Sequence, residues 1–300
     1  MESKPVPREG ALVVNTRSRK GERLFQKALK KLEDAGIRII AAHAVQDPEK
    51  LVPTVTDVVR NGAPMVIVGG GDGSLSCSVD EVVGYDCVFA LLPLGTANSF
   101  ARSLGIPLDL DNAVRTIATG RRRRIDLGRI NGDYFANAAS IGLSPMIGET
   151  VPHDLKRYLG RFGYFLWAIW CLLRFSPFRL RVSQESVGEW TWATEVRILN
   201  GRFHSGVEFL EEETLDAGEL VVQAVTGRSM VHLMLDWLAR FLKPPGRGRS
   251  AQEFRGTTMR IETKPRLKVS IDGEVLTRTP ALVECVPGTI EVVVPTTGPK

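Results

Sequence analysis

MVIVGGGDGS, residues 65–74, runs four apolar residues straight into a glycine cluster. A strand that ends in glycines and then opens a helix is the arrangement that binds phosphate. Gly69, Gly70, Gly71 and Gly73 permit positive φ and let backbone N–H groups converge on an anion, and a helix N-terminus adds a favourable field. Ser74 adds a hydroxyl donor. Asp72 is the odd member, because a carboxylate repels phosphate unless a cation lies between them, which points to Mg²⁺ held by oxygen ligands. The segment matches neither GxxxxGK[ST] nor GxGxxG, and a tight turn with no ligand is the other reading of the same residues.

The flanking sequence alternates strand and helix signals. Residues 11–15 and 37–44 read as strands. Between them Leu24, Phe25, Ala28, Leu29 and Leu32 recur at helical spacing until Gly36. Residues 48–61 place Leu51, Val55, Val58 and Val59 on one helical face, a helix follows the glycines to about Val83, and residues 88–92 form a fourth strand. This alternation predicts a parallel, sandwiched sheet with a ligand crevice at the strand carboxyl ends. A second polar turn, PLGTANSFA at residues 93–101, follows that fourth strand. Thr96 and Asn98 there stand within reach of a nucleotide phosphate or ribose, or serve as helix caps. Two such turns on successive strands of one parallel sheet end on the same crevice.

From Ile125 onward strand-like runs dominate, at 134–138, 195–199, 220–225, 259–263, 267–271, 282–286 and 290–294, with helices near 155–175 and 229–242. The fold expected is α/β plus β. A parallel-sheet nucleotide-binding domain over residues 1–124 precedes a mostly antiparallel, β-rich substrate domain over 125–300, with the active site in the cleft between.

Composition bounds the rest. A hydrophobic fraction of 43% and a charged fraction of 24% in 300 residues are ordinary globular values. A net charge of +5 suits anionic partners only weakly. Cys77, Cys87, Cys171 and Cys285 show no CxxC spacing and the histidines no HExxH, so free buried thiols are expected in place of zinc or disulfides. The N-terminus lacks a signal-peptide pattern, and the apolar uncharged stretch 162–173 is 12 residues, against about 20 for a spanning helix. A reduced, cytoplasmic protein is expected. No stacked aromatic–basic motif argues for nucleic acid, and an oligomer is compatible with everything read here.

GGGDGS at 69–74 followed by LPLGTANSFARSLGIP at 92–107 resembles the catalytic domain of diacylglycerol, sphingosine and ceramide kinases, most of all the compact bacterial lipid kinases. The likeness continues through IDLGRINGDYFANAASIGLSP (125–145), ILNGRFHSG (198–206), LDAGEL (215–220) and IDGE (271–274). NAD kinases and phosphofructokinases share a GGDG turn but not the second block. The resemblance implies an ATP- and Mg²⁺-dependent phosphotransferase acting on a lipid hydroxyl, with diacylglycerol the first acceptor and sphingoid bases or ceramide behind it. It implies ATP contacts from Gly69–Ser74, Thr96, Asn98 and Asn15, and a general base at Asp272 or Glu274; a plain hairpin turn is the other reading of IDGE. It places metal ligands at Asp72 and Asp216. Two departures stand out. Ala217 replaces the second of two adjacent aspartates usual in that block, and no threonine ends the second strand, where Ala42, His43 and Ala44 stand. A soluble-substrate kinase and a catalytically silent nucleotide- or lipid-binding module are the competing readings.

A lipid substrate implies a peripheral membrane enzyme. Residues 162–175 are apolar all round and flanked by Lys156, Arg157, Arg161, Arg174 and Arg179, as in an interfacial element, an acyl-pocket wall or a core helix. The basic loop 243–249 and the arginines 121–124 either meet anionic groups or are solvated.

Overall fold

A computed structural model describes residues 4–17, 21–143, 145–146, 167, 170–171, 174–204, 207–210, 215–228, 251–272 and 274–296. The first half is the expected alternation. Strands β1 (Glu9–Asn15), β2 (Arg38–Val45), β3 (Met65–Gly70) and β4 (Val88–Pro93) are parallel, in the spatial order β2-β1-β3-β4. Every residue of β3 and β4 is buried, as befits parallel strands covered on both faces. Helix α1 (Gly21–Asp34) buries Phe25, Ala28 and Leu32, the stripe expected of a 3.6-residue period. Helix α2 (Leu51–Arg60) packs beside α3 (Asp72–Val79), while α1 packs beside α5 (Leu110–Thr119). Between them in sequence, α4 (Ser99–Ser103) is a short helix directly after the second polar turn. The helix expected to reach about Val83 ends as α at Val79 and continues as a 3₁₀ turn over Asp80–Val82.

The second half is antiparallel. It comprises β5 (Arg121–Ile130), β6 (Asp133–Phe135), β7 (Ala138–Gly142), β8 (Phe178–Ser183), β9 (Thr191–Leu199), β10 (Phe203–His204), β11 (Val207–Glu208), β12 (Leu220–Thr226), β13 (Ala251–Gly256), β14 (Thr258–Lys264), β15 (Lys268–Ile271), β16 (Glu274–Arg278) and β17 (Ala281–Val294). Two expected strands are divided differently. The run 134–138 splits into β6 and β7, because the Asn137 carbonyl is taken by the N–H groups of Asn200 and Gly201. The runs 282–286 and 290–294 are one strand, β17, with a register shift between Val286 and Ile290.

The two halves share one sheet. β17 pairs antiparallel with β5 and β14 and parallel with β4, so the last strand completes the edge of the first four. The division expected at 124/125 falls inside β5, whose first half, Arg121–Ile125, pairs with the β4-side end of β17. Two large apolar clusters form accordingly, one around β1, β3, β4 and α1–α5 and one around β7, β8, β9, β14 and β15.

All four cysteines are free, as expected, with Cys87 and Cys171 buried. The arginine run is ion-paired, Arg122 and Arg124 with Glu291 and Arg123 with Asp216. Among the described residues no helix is long and apolar enough to cross a membrane. The helices read at 155–175 and 229–242 and the loop 243–249 lie outside the described residues, apart from Trp167, Trp170, Cys171, Arg174 and Phe175.

Candidate active site

The carboxyl ends of β1, β3 and β4 stand level, with Val14 opposite Gly69 and Gly70 opposite Pro93. Above them opens a cavity of about 340 Å³, lined by Asn15, Arg17, Gly70, Gly71 and Leu94 together with Gly21 and Leu24 at the start of α1. Asn15 closes the base of this crevice: its Nδ2 donates to Ser74 Oγ at 2.9 Å, and its Oδ1 accepts the Arg17 N–H at 3.1 Å. Two of the glycines are there for space. A Cβ on Gly95 would lie 2.4 Å from Gly71 Cα, and one on Gly70 2.5 Å from Ser74 Cβ. The two polar turns therefore touch backbone to backbone, which only glycine allows.

Asp72 is the first residue of α3. Its Oδ1 accepts the Phe100 N–H at 3.2 Å, so it caps the start of α4. Burial raises its pKa, opposed by the N–H groups of Phe100, Ser99 and Asn98 and by the Arg102 charge. Asn98 is turned inward. It sits at φ 48°, is 3% exposed, and exchanges two 3.0 Å hydrogen bonds with the backbone of Gly95. Its side chain shapes the turn, and the exposed Thr96 is the residue of the pair that faces outward.

Asp272 and Glu274 belong to the β15–β16 hairpin, in which Ile271 pairs with Glu274. Asp272 occupies the left-handed region at φ 46°, which aspartate tolerates in two-residue turns. The hairpin reading and the catalytic one are thus compatible. The Asp272 carboxylate also crosses to the neighbouring strand: Oδ1 accepts the Ala138 N–H at 2.9 Å and Oδ2 the Ala136 N–H at 3.0 Å. Burial pushes its pKa up to about 6, against the lowering effect of those amides and of Ser76. The Ser76 hydroxyl faces it without closing a hydrogen bond of normal geometry. Glu274 is exposed, and its charge, after burial, helps raise the Cys77 thiol to about 11. Asp272 thus stands beside Ser76 in the middle of α3, a position one turn or about 6 Å along the axis from Asp72.

A relay of bonds fixes this spacing. Asp72 holds α4 through Phe100, Ser103 at the end of α4 donates to Asn137 Oδ1 at 3.0 Å, and the amides flanking Asn137 hold Asp272. Asn137 and Ser103 were not singled out from the sequence, and neither was Arg17, although a cation two residues past Asn15 on a strand end is a readable signal. Asp80, at the end of α3, is a further titrating group, raised to about 7 by desolvation of its carboxyl and then by Glu81, Asp133 and Asp272.

The later sequence blocks converge elsewhere, on Asp126. This 3%-exposed carboxylate accepts from Gly218 N at 2.7 Å and Gly288 N at 2.8 Å, while its own carbonyl accepts from Asn200 Nδ2 at 2.8 Å. IDLG, ILNG and LDAGEL are therefore tied to the β17 bulge by one buried acid. Asp216 lies next to this junction and pairs with Arg123 Nη2 at 2.8 Å. Among the described residues no group of three or more His, Cys, Asp or Glu is arranged to hold a metal. The single carboxylate of Asp72 is compatible with Mg²⁺, an ion that keeps several waters and takes one or two carboxylates beside substrate phosphates.

The family of the diacylglycerol kinase catalytic domain matches residues 9–130, and the YegS C-terminal NAD kinase beta sandwich-like domain matches residues 137–294. The chain belongs to the YegS-like lipid kinase family. A probable YegS-like lipid kinase of Pseudomonas aeruginosa is 31% identical over 82% of this chain and 81% of its own. One of Klebsiella pneumoniae is 28% identical over 89% of each. The crystal structure of a diacylglycerol kinase from Bacillus anthracis str. Sterne superposes with a TM-score of 0.75 over 97% of this chain and 98% of that one, at 19% identity, which shows the shared fold. As a member of this lipid kinase family the chain is an ATP-dependent phosphotransferase. The NAD-kinase-like sandwich of the family corresponds to the antiparallel half described above.

Proposed function

We propose that this lipid kinase transfers the γ-phosphate of ATP to the free hydroxyl of diacylglycerol, giving phosphatidic acid and ADP. The observation that carries this reading is the relay from Asp72 through α4 and Asn137 to Asp272, which holds a basic group at a fixed distance from a phosphate-binding turn. In this reading the N–H groups of Gly69–Ser74 cradle the phosphates, and Arg17 and Thr96 reach the nucleotide from the rim of the cavity. Asn15 and Asn98 keep the two turns in shape. Mg²⁺, which neutralises phosphate charge when bound, would be held by Asp72. Asp216 has no part in the transfer.

Asp272 is the base. Held by two amides, it keeps a lone pair on each oxygen, and with a pKa near 6 it is ionised at neutral pH and takes the proton of the attacking hydroxyl. Phosphoryl transfer asks little covalent chemistry of the protein beyond such positioning and charge stabilisation. Glu274, exposed and free of that amide grip, is the outer acid of the pair. The acceptor is water-insoluble, so the enzyme works at a membrane surface that it does not span, on the cytoplasmic side where ATP is available.

The test is transfer of labelled phosphate from ATP to diacylglycerol, sphingosine and ceramide in mixed micelles with Mg²⁺, with Asp272→Asn as control. Labelled phosphatidic acid, lost in the control, is the expected result. Label on a sphingoid base or ceramide alone would replace the acceptor, and no label on any lipid would overturn the reading.

A further inference from the structure

We propose that the outer face of β8, β9 and β14, where Trp190 and Trp192 each lie under two cations, is the surface that rests on an anionic bilayer. This deepens the membrane-surface reading above and rests on it. The strand pattern builds the face. Phe178, Leu180 and Val182 of β8 point into the core, so Arg179 and Arg181 point away from it. Register then sets Arg179 between Trp192 of β9 and Lys264 of β14, and Arg181 beside Glu262. Arg179 and Arg228 stand 5.5 and 5.1 Å from the Trp192 ring, and Arg181 and Lys264 stand 4.8 and 4.6 Å from the Trp190 ring.

Four cation–ring contacts surround these two neighbouring rings. The theme extends to the residues leading into β8, where Trp170, stacked on Trp167, lies 4.2 Å under Arg174 and is 37% exposed. At the tip of the β8–β9 connection Val187 is 77% exposed.

The charge balance favours anions. Glu262 is committed to Arg181 at 2.5 Å, and Glu185 and Glu189 lie on the β8–β9 connection. Among the described residues no carboxylate pairs with Arg179, Arg228 or Lys264, whereas Arg122, Arg123 and Arg124 at the start of β5 pair with Glu291 and Asp216. An indole under a guanidinium or ammonium is apolar in its body and cationic at its tip. That combination suits the headgroup layer, where tryptophan partitions and basic side chains meet lipid phosphates. Nucleic acid offers phosphate too, but binding it would need open ring faces for stacking, and here the cations occupy them.

The face is also remote from the chemistry. Trp192 lies seven residues along β9 from Leu199, whose partner Ala138 holds Asp272, a separation of about 23 Å at about 3.3 Å per residue. Changes here therefore separate docking from turnover.

The experiment uses the full chain. Sedimentation with phosphatidylcholine vesicles, with and without phosphatidylglycerol, is compared for the wild type, Arg228→Gln with Lys264→Gln, and Val187→Trp, with a single-stranded oligonucleotide as competitor. Binding is expected only with phosphatidylglycerol, weakened about fivefold per cation removed and so about 25-fold in the double variant, and tightened by Val187→Trp. The double variant should keep its rate on a dispersed short-chain diacylglycerol and lose it on vesicles. Unchanged vesicle binding in both variants, no binding by the wild type, or binding to the oligonucleotide in place of vesicles overturns the proposal. Sedimentation needs no turnover, so a chain that docks through this face yet phosphorylates no lipid would refute the kinase assignment and leave the face standing.

Discussion

Asp72 and Phe100 are joined by a 3.2 Å hydrogen bond from the Phe100 amide to Asp72 Oδ1, although 28 residues separate them. The acid that opens α3 thus fixes the start of α4 and ties the two glycine-bearing turns to each other. Asp72→Asn keeps an oxygen for that amide and removes the charge, so it should fold normally and lose at least 100-fold in transfer rate, the scale of one electrostatic contact. Asp72→Ala also removes the cap and should cost about 1 kcal/mol of stability. Thermal unfolding beside steady-state kinetics separates the two; an Asn variant with wild-type rate would remove Asp72 from the chemistry.

Acid should switch the enzyme off through Asp272. Its folded pKa of about 6 exceeds the ordinary 3.8, so the carboxylate is protonated below pH 6 and loses its basicity there. The profile of kcat/KM should fall tenfold per pH unit below about 6 and flatten above it. The stability effect has the opposite sense. The folded state binds this proton more tightly than the unfolded chain, so this group's contribution to stability grows as pH falls through 6. Asp272→Asn should cut kcat by about 10²–10⁴ while Glu274→Gln stays within tenfold. A larger loss in the Glu274 variant would exchange the two roles.

Gly95→Ala should be among the most damaging single-methyl changes in the protein. The new Cβ meets Gly71 Cα at 2.4 Å and Asn98 Oδ1 at 2.8 Å, so one turn has to retreat by about 1 Å, a displacement worth about 100-fold in rate. The loss should appear with little change in unfolding temperature, because the contact lies at a crevice rim and not in a core. A variant with unchanged kinetics would show that the turns approach less closely in solution.

Asp216→Asn should do almost nothing. The carboxylate is 49% exposed and paired with Arg123, and such pairs contribute about 0–1 kcal/mol. Titrating Mg²⁺ in the activity assay should give the same half-saturation for variant and wild type. A rightward shift of tenfold or more would restore the metal-ligand role.

The parallel half was legible because each of its signals is local: a strand period, a glycine cluster and a helical stripe lie within a few residues of one another. Asn98 was read as a nucleotide contact or a helix cap, but which atoms it serves depends on φ 48° at that residue, and residue identity does not carry that. The grip of Ala136 and Ala138 on Asp272 joins residues more than 130 apart, so it could be seen only once β7 and β15 were placed side by side. The same holds for Asp126, whose partners come from the 215–220 block and the β17 bulge. A carboxylate that binds backbone amides leaves no compositional trace, because its partners are peptide groups common to every residue.

Strand β17 bears on how the chain is made. Until residues 291 and 292 leave the ribosome, β4 lacks the parallel neighbour they supply, and an unpaired edge of all-buried apolar residues is a template for wrong pairing. The nascent parallel half must therefore wait for residues about 200 positions downstream of β4 before its sheet closes. Synthesis order and spatial order run against each other, and a ribosome that stalls before residue 291 would release a product with its glycine-rich turns built and its flank open.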